Sequence, residues 1–451
     1  MSFPRYERYK ESGVEWLGEV PEGWEVKPLK LACEVFPSNV DKKSKEGEPS
    51  VLLCNYTDVY YNEKITPELE FMAATASVDQ IEKFTLRAGD TIITKDSETA
   101  DDIAIAAYVP QDMPGVICGY HLSMVRPREG AFGPFVKRFF DSCYAKSKFA
   151  VLANGLTRVG LGQYALDNVE LPLPPLPEQH TIAAFLDRET GKIDALVAEQ
   201  QRLIELLKEK RQAVISHAVT KGLNPAAPMK DSGVEWLGEV PAGWEVVRLA
   251  NLFQEVDERG NADLPVLCVS IHNGISDREL DEEEMDRKVS RSEDRSIYKQ
   301  VKSGDLVYNM MRAWQGGFGA ATVEGMVSPA YVVARPRQKI STAFVELLLR
   351  TPQAIEQMRR HSKGVTDFRL RLYWDEFKNI TIALPPGNEA EEICKGIEKL
   401  TCEFDSLIAE AQRAIALLKE RRTALISAAV TGKIDVRSSD GFDSSEFCRT
   451  G

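Results

Sequence analysis

Nowhere in these 451 residues do 18 apolar side chains follow one another, and the opening Met1-Ser2-Phe3-Pro4-Arg5-Tyr6-Glu7-Arg8 has no apolar run. A membrane span and a secretory leader are not expected, and cytoplasm is the expected compartment. Cysteine is sparse, at positions 33, 54, 118, 143, 268, 394, 402 and 448, with no CxxC pair. That spacing excludes a disulfide frame and a thiolate zinc site. The five histidines (121, 180, 217, 272, 361) lie far apart in sequence, and GxxxxGK[ST], HExxH and GxSxG are all missing. Asn224-Pro225 lacks the Pro-aromatic that completes the adenine methyltransferase motif, and Gly316-Gly317-Phe318-Gly319 does not sit between a strand and a helix as a dinucleotide fingerprint must. The chain is expected to have no catalysis, metal or cofactor of its own. Surplus positive charge is absent too. A net charge of −13 argues against holding nucleic acid by bulk electrostatics, so any such contact must gather its basic residues on one face.

What the chain does have, it has twice. The segment Lys10 to Val26 returns as Lys230 to Val246 with 15 of 17 positions identical, Gly-Val-Glu-Trp-Leu-Gly-Glu-Val-Pro among them. Asp194 to Thr220 returns as Asp405 to Thr431 with 18 of 27 identical. Between these anchors only short points recur in the same order: Gly89-Asp90 with Gly304-Asp305, and Gly-x-Thr at Gly155 and Gly364. Two copies of one unit imply internal pseudo-two-fold symmetry, suited to a target with two halves. Duplex DNA is the commonest such target. Constant ends around a divergent centre imply one scaffold presenting two recognition surfaces.

The repeated C-terminal segments predict helices. Apolar residues fall at three- and four-residue spacing, with charged residues between, no proline inside, and Gly222 or Gly432 after the end. Ile193, Leu196, Leu203, Leu207 and Val214 in the first helix, and Phe404, Leu407, Ile415, Leu418 and Leu425 in the second, form a seam that suits an antiparallel coiled coil. The same pattern also suits two separate amphipathic helices, each packed on its own domain. A run of about 30 residues spans roughly 45 Å. The divergent middles read as mixed α/β. Strands are expected at 90–94, 103–109 and 330–334, helices at 134–151 and 342–360, and a proline-rich hinge closes each middle.

Two stretches look suited to reading bases. In the second copy Asn309, Arg312, Trp314 and Gln315 follow a strand into a glycine turn; Asn and Gln can pair with adenine, and Arg with guanine. The same place in the first copy holds Lys95 and Ser97 among carboxylates. The other stretch sets Thr157, Arg158 and Gln163 against Thr366, Arg369 and Arg371, residues that suit phosphate or base contact. A plain polar loop and a solvated charged face are the bland alternatives.

Taken together, the Trp-Leu-Gly-Glu-Val-Pro-x-Gly-Trp segments, the Gly-Asp strand starts, the Leu-Pro-Pro-Leu-Pro-Glu-Gln at 173–179 and the Leu-Leu-Lys-Glu-[KR]-Arg helix endings resemble the specificity subunits of type I restriction-modification enzymes. One departure is Gly387-Asn388-Glu389-Ala390, where the Leu-Pro-x-Glu-Gln form is lost and the shape of the second hinge is open. The resemblance implies an α+β (mixed α/β) fold. It divides the chain into target recognition domains at 1–176 and 231–386, spacer helices at 177–222 and 387–437 paired antiparallel, a linker at 223–230 and a disordered tail at 438–451. It also implies a non-catalytic subunit that reads a bipartite sequence in double-stranded DNA, one half per domain. Two methyltransferase subunits would dock on it for adenine N6 methylation, and a restriction/translocase subunit would cut. S-adenosylmethionine, ATP and Mg would belong to those partners. A free-standing DNA-binding regulator would instead bind tightly by itself, and a coiled-coil protein scaffold would carry no DNA.

Overall fold

The structure, a computed structural model, describes residues 3–155, 157–259, 263–281, 295–365 and 369–437. The 438–451 segment expected to be a disordered tail lies outside these. No helix among the described residues is long and apolar enough to cross a membrane. The chain divides into two compact units: Met1–Gln201 with Arg413–Gly451, and Arg202–Gln412.

The first unit is built on an antiparallel sheet in the order Ala106–Tyr108, Thr91–Thr94, Leu122–Pro127, Cys33–Pro37. Thr91-Ile92-Ile93-Thr94 is wholly buried because both faces of the sheet are covered. Alternate side chains of a strand point to opposite faces. Thus Ile93, Ala106 and Val125 join Phe135 and Phe139 of the helix Gly133–Asp141 in one core. Ile92, Ala107 and Met124 join a second core with Leu53 and Ile117, which belong to a second sheet in the order Met72–Thr75, Ser50–Cys54, Met113–Cys118, Thr85–Leu86.

The second unit repeats the first sheet as Phe318–Ala320, Leu306–Asn309, Tyr331–Pro336, Phe253–Val256. Leu306, Tyr308 and Ala334 again face one core, and Val307 and Val333 another. Each expected middle helix is broken by an internal cap. Ser142 starts Cys143–Leu152 by accepting from Ala145 N (3.2 Å), and Thr351 starts Pro352–His361 by accepting from Ala354 N (3.3 Å). A side-chain oxygen taking an amide at the third position ends one helix and begins the next.

The two long helices, Leu176–Lys221 and Glu389–Val430, hold 46 and 42 residues. At 1.5 Å per residue they extend about 69 and 63 Å, well beyond the 45 Å inferred from the repeated segment. Within the first unit the start of one (Ile182, Phe185, Leu186) packs with the end of the other (Ile426, Ala429, Val430), and Asp194 pairs with Arg422 at 2.9 Å. Within the second unit Ile215, Ala218 and Val219 share a core with Ala390, Ile393 and Ile397. The pairing is antiparallel in each.

The seam differs from the expected one. Ile193 is buried, and Leu207, Val214, Phe404, Ile415, Leu418 and Leu425 are half-buried, but Leu196, Leu203 and Leu407 are 51%, 43% and 47% exposed. The covered stripe runs Ile193, Val197, Gln200, Ile204, Leu207, Arg211, Ile215, Ala218. Its steps of four and three keep one face of the helix covered, and its phase passes through Val197 and Ile204 instead of Leu196 and Leu203.

The repeated tryptophans fasten these helices. Trp24 Nε1 donates to Glu178 Oε1 at 3.1 Å, and Trp244 Nε1 to Glu389 Oε1 at 3.1 Å. Glu389 therefore does the work of Glu178, and the second hinge keeps its fastening. What is lost is the glutamine. Buried Gln179 takes Phe132 N and donates to Gly130 O and Pro174 O, while Ala390 packs in its place.

Candidate nucleic-acid interface

The repeated Gly-Asp sits below the candidate surface and is structural. Asp90 and Asp305 are buried; each takes the amide of the residue three before it (2.8 and 2.9 Å). Each also holds a forked arginine from the neighbouring strand. Arg126 Nε and Nη2 reach Asp90 at 2.8 and 2.7 Å, and Arg335 reaches Asp305 at 3.0 and 3.1 Å. A planar guanidinium with two parallel bonds fixes the strand pair in register. These hydrogen bonds hold the Arg126 and Arg335 guanidiniums above their ordinary range against the pull of desolvation.

The next turn brings the two predicted stretches of each copy together by the same hydrogen bonds. In the first unit Leu161 N donates to Lys95 O (2.8 Å), and Asn154 and Gly160 exchange both backbone bonds (3.1 and 2.9 Å). In the second, Leu372 N donates to Met310 O (2.9 Å), and Lys363 and Arg371 exchange both (2.9 and 3.0 Å). The matched glycines sit directly after Asn154 and Lys363. A Cβ on Gly155 would lie 2.0 Å from Arg158 O, and one on Gly364 would lie 2.7 Å from Arg369 O. Only glycine allows so close an approach of backbone to backbone, which accounts for the glycine of the Gly-x-Thr repeat.

On this frame the two units carry different side chains. In the first, Thr157 and Arg158 are exposed. Lys95 is half-buried, its Nζ 3.5 Å from Ser38 O and 4.8 Å from the centre of the Tyr120 ring. Ser97, only 2% exposed, is buried beneath the surface and is not free to read a base. Gln163 lies at the surface, but its amide donates to Val35 O (2.9 Å) and Asp167 Oδ1 (2.7 Å), bracing its helix. A hollow of about 290 Å³ is lined by Asp96, Asn154, Arg158 and the chain from Val159 to Gly162.

In the second unit Asn309 is spent on the turn, its Oδ1 accepting from Met311 N (3.0 Å). Half-buried Trp314 donates to Met311 O at 3.0 Å. Arg312 donates to Gln315 Oε1 at 3.2 Å. Arg369 and Arg371 are exposed, and Thr366 lies outside the described residues. Gly316, at φ 87°, closes the turn where a side chain would meet Ile355.

Several surface groups had no sequence signal. Tyr56 and Tyr60 stack at 5.5 Å, and Tyr61 stands edge-on to Tyr60 and 77% exposed. Tyr60 donates to Asp102 at 2.8 Å, which raises its hydroxyl above the ordinary tyrosine range. Desolvation raises Tyr56. Tyr120 and His121 lie beside Lys95. In the second unit Met311, Val365 and Tyr373 are exposed around the same loops. Aromatic faces beside cations suit contact with bases and sugars.

Residues 21–206 match the family model described as the type I restriction modification DNA specificity domain. The chain is 22% identical over 433 residues to the type I restriction enzyme EcoKI specificity subunit of Escherichia coli (strain K12), covering 92% of this chain and 90% of that protein. It is 26% identical over 255 residues to the putative type I restriction enzyme MjaX specificity subunit of Methanocaldococcus jannaschii, covering 56% and 57%. Among solved structures, a chain from work on complex assembly and conformational transition of the type I R-M system aligns with a TM-score of 0.66 at 17% identity, covering 91% of this chain and 98% of that one. The HsdS subunit from Thermoanaerobacter tengcongensis aligns at 0.51 and 18%, covering 92% and 98%. These structural likenesses speak to the fold.

Proposed function

Because the chain belongs to the specificity subunits of type I restriction-modification systems, we propose that each of its units reads one half of a bipartite DNA sequence. It is the non-catalytic DNA-recognition subunit of such a system. The observation that carries the two-half reading is the matched frame. The same backbone bonds hang a strand end and a glycine loop together in both units, yet Lys95, Asp96, Asn154 and Gly160 stand where Met310, Met311, Lys363 and Arg371 do. A constant frame with unlike side chains suits two readers of unlike sequence.

Two methyltransferase subunits dock on the chain for adenine N6 methylation, and a restriction/translocase subunit completes the complex. The exposed leucines of the long helices, Leu196, Leu203, Leu206, Leu407 and Leu417, suit such partners. S-adenosylmethionine, ATP and Mg act in those subunits, in the cytoplasm. The partners also supply the positive field that a net charge of −13 lacks.

Mapping N6-methyladenine across the genome, with and without this chain, tests the reading. A two-part motif that depends on the chain is the expected result, and Arg312→Ala should relax one part alone. A methylation pattern indifferent to the chain refutes it.

A further inference from the structure

We propose that His121 is a base-reading residue of the first unit, taking the exocyclic amino group of an adenine or a cytosine; this rests on the DNA-recognition reading above. His121 stands in the turn between Met113–Cys118 and Leu122–Pro127. Its backbone is left-handed, at φ 72°. That conformation is uncommon without glycine, and it collects at functional sites when the surroundings enforce it.

Here the surroundings do enforce it. Lys95 N donates to the His121 carbonyl at 3.0 Å. The imidazole Nδ1 bonds Asp96 Oδ2, and Asp96 is itself held in the short strand paired with Val159–Gly160. Tyr120, 47% exposed, meets the ring edge-on at 4.3 Å. The imidazole is thus fixed on the surface that carries Lys95 and Arg158.

Its chemistry follows from Asp96. A carboxylate only accepts, so Nδ1 carries the hydrogen between them. In the neutral ring Nε2 is then an acceptor, and no described group takes it. The side chain is 31% exposed, enough to be reached from outside. A fixed acceptor in the major groove complements adenine N6 or cytosine N4 and opposes thymine O4 and guanine O6. The equivalent position in the second unit is Ala330, because Tyr331 faces Asn309 as Leu122 faces Thr94. The contact therefore belongs to one half of the target.

The test uses the full chain in complex with its methyltransferase subunits, on duplexes randomised at each position of the target. His121→Gly removes the ring while suiting the left-handed backbone. One position of one half should lose its preference for adenine or cytosine by roughly ten- to hundredfold, with the other half unchanged. If His121→Gly lowers the melting temperature, His121→Asn, which also accepts that backbone, is scored instead and should narrow the position toward adenine. A folded variant that keeps the wild-type preference at every position, or relaxes both halves alike, overturns the assignment. A wild-type complex without any two-part preference would instead overturn the DNA-recognition reading, whatever His121 does.

Discussion

Replacing Glu178 and Glu389 by alanine, one at a time, should separate two fastenings that look alike in sequence. Glu178 accepts from two buried donors, Trp24 Nε1 at 3.1 Å and Tyr6 Oη at 2.6 Å. Its counterpart Glu389 accepts from Trp244 Nε1. A buried donor left without an acceptor costs about 1–3 kcal/mol. A hollow of about 320 Å³ opens against Tyr6, Trp24 and Glu178, so water can soften the loss, and the low end applies: about 1 kcal/mol per donor. Both glutamates lie in the first turn of a long helix, so their favourable interaction with the helix dipole cancels in the comparison. For units of roughly 200–250 residues, 1 kcal/mol moves the melting temperature by about 2–4 °C. Glu178→Ala should therefore lower the first unit's transition by about 4–8 °C, and Glu389→Ala the second's by about 2–4 °C. Two units need not melt as one, so calorimetry is paired with hydrogen exchange followed segment by segment. In a Tyr6→Phe background the cost of Glu178→Ala should fall by about half, because one donor is already gone. Equal costs for the two glutamates, or no change in the Tyr6→Phe background, would refute the reasoning.

Asp305→Ala should cost about 3 kcal/mol in urea unfolding, the low end for breaking a buried pair, because Glu258 still holds Arg335 Nη1 at 2.7 Å; a cost below 1 kcal/mol on the same scale would remove the structural role given to Gly-Asp. Glu63 gives a pH signature in the first unit. Desolvation pushes its carboxyl up, but Lys137, Arg422 and Arg138 outweigh this and hold it below the ordinary range. Its stabilisation is therefore present above the unfolded-state value and lost as pH falls through the lower folded one. The melting temperature of Glu63→Gln should lie below wild type at pH 7, with the gap closing on acidification; a gap that stays constant down to pH 3 would count against the ion cluster.

The sequence was most legible where a physical constraint is local or repeated. Gly-Asp marks a turn whose carboxylate takes its own third-previous amide, and Gly155 and Gly364 mark a backbone approach no other residue permits. The duplication revealed the frame because both copies obey the same packing. Side-chain roles were less legible, since they depend on partners distant in the chain. Ser97 looks like a reader until the fold buries it to 2% exposure. Asn309 looks like one too, until Met311 N claims its carbonyl oxygen for the turn. His121 looks like one of five scattered histidines until strand pairing sets it against Asp96. The helix seam slipped by one residue at Leu203 because leucine on both sides of a narrow stripe leaves the phase ambiguous. The burial of Ile204 resolves it.

Peptide groups close the loops at 154–160 and 363–371, between Asn154 and Gly160 and between Lys363 and Arg371, and peptide groups of Leu161 and Leu372 tie them to the strand ends. Every amino acid except proline can make those bonds. Outside Gly155 and Gly364 the attachment thus places almost no demand on which side chains the loop displays, and mutation can rewrite the display without loosening the mount. Proline at Asn154, Gly160, Lys363 or Arg371 would be the exception, opening the loop without removing a core side chain.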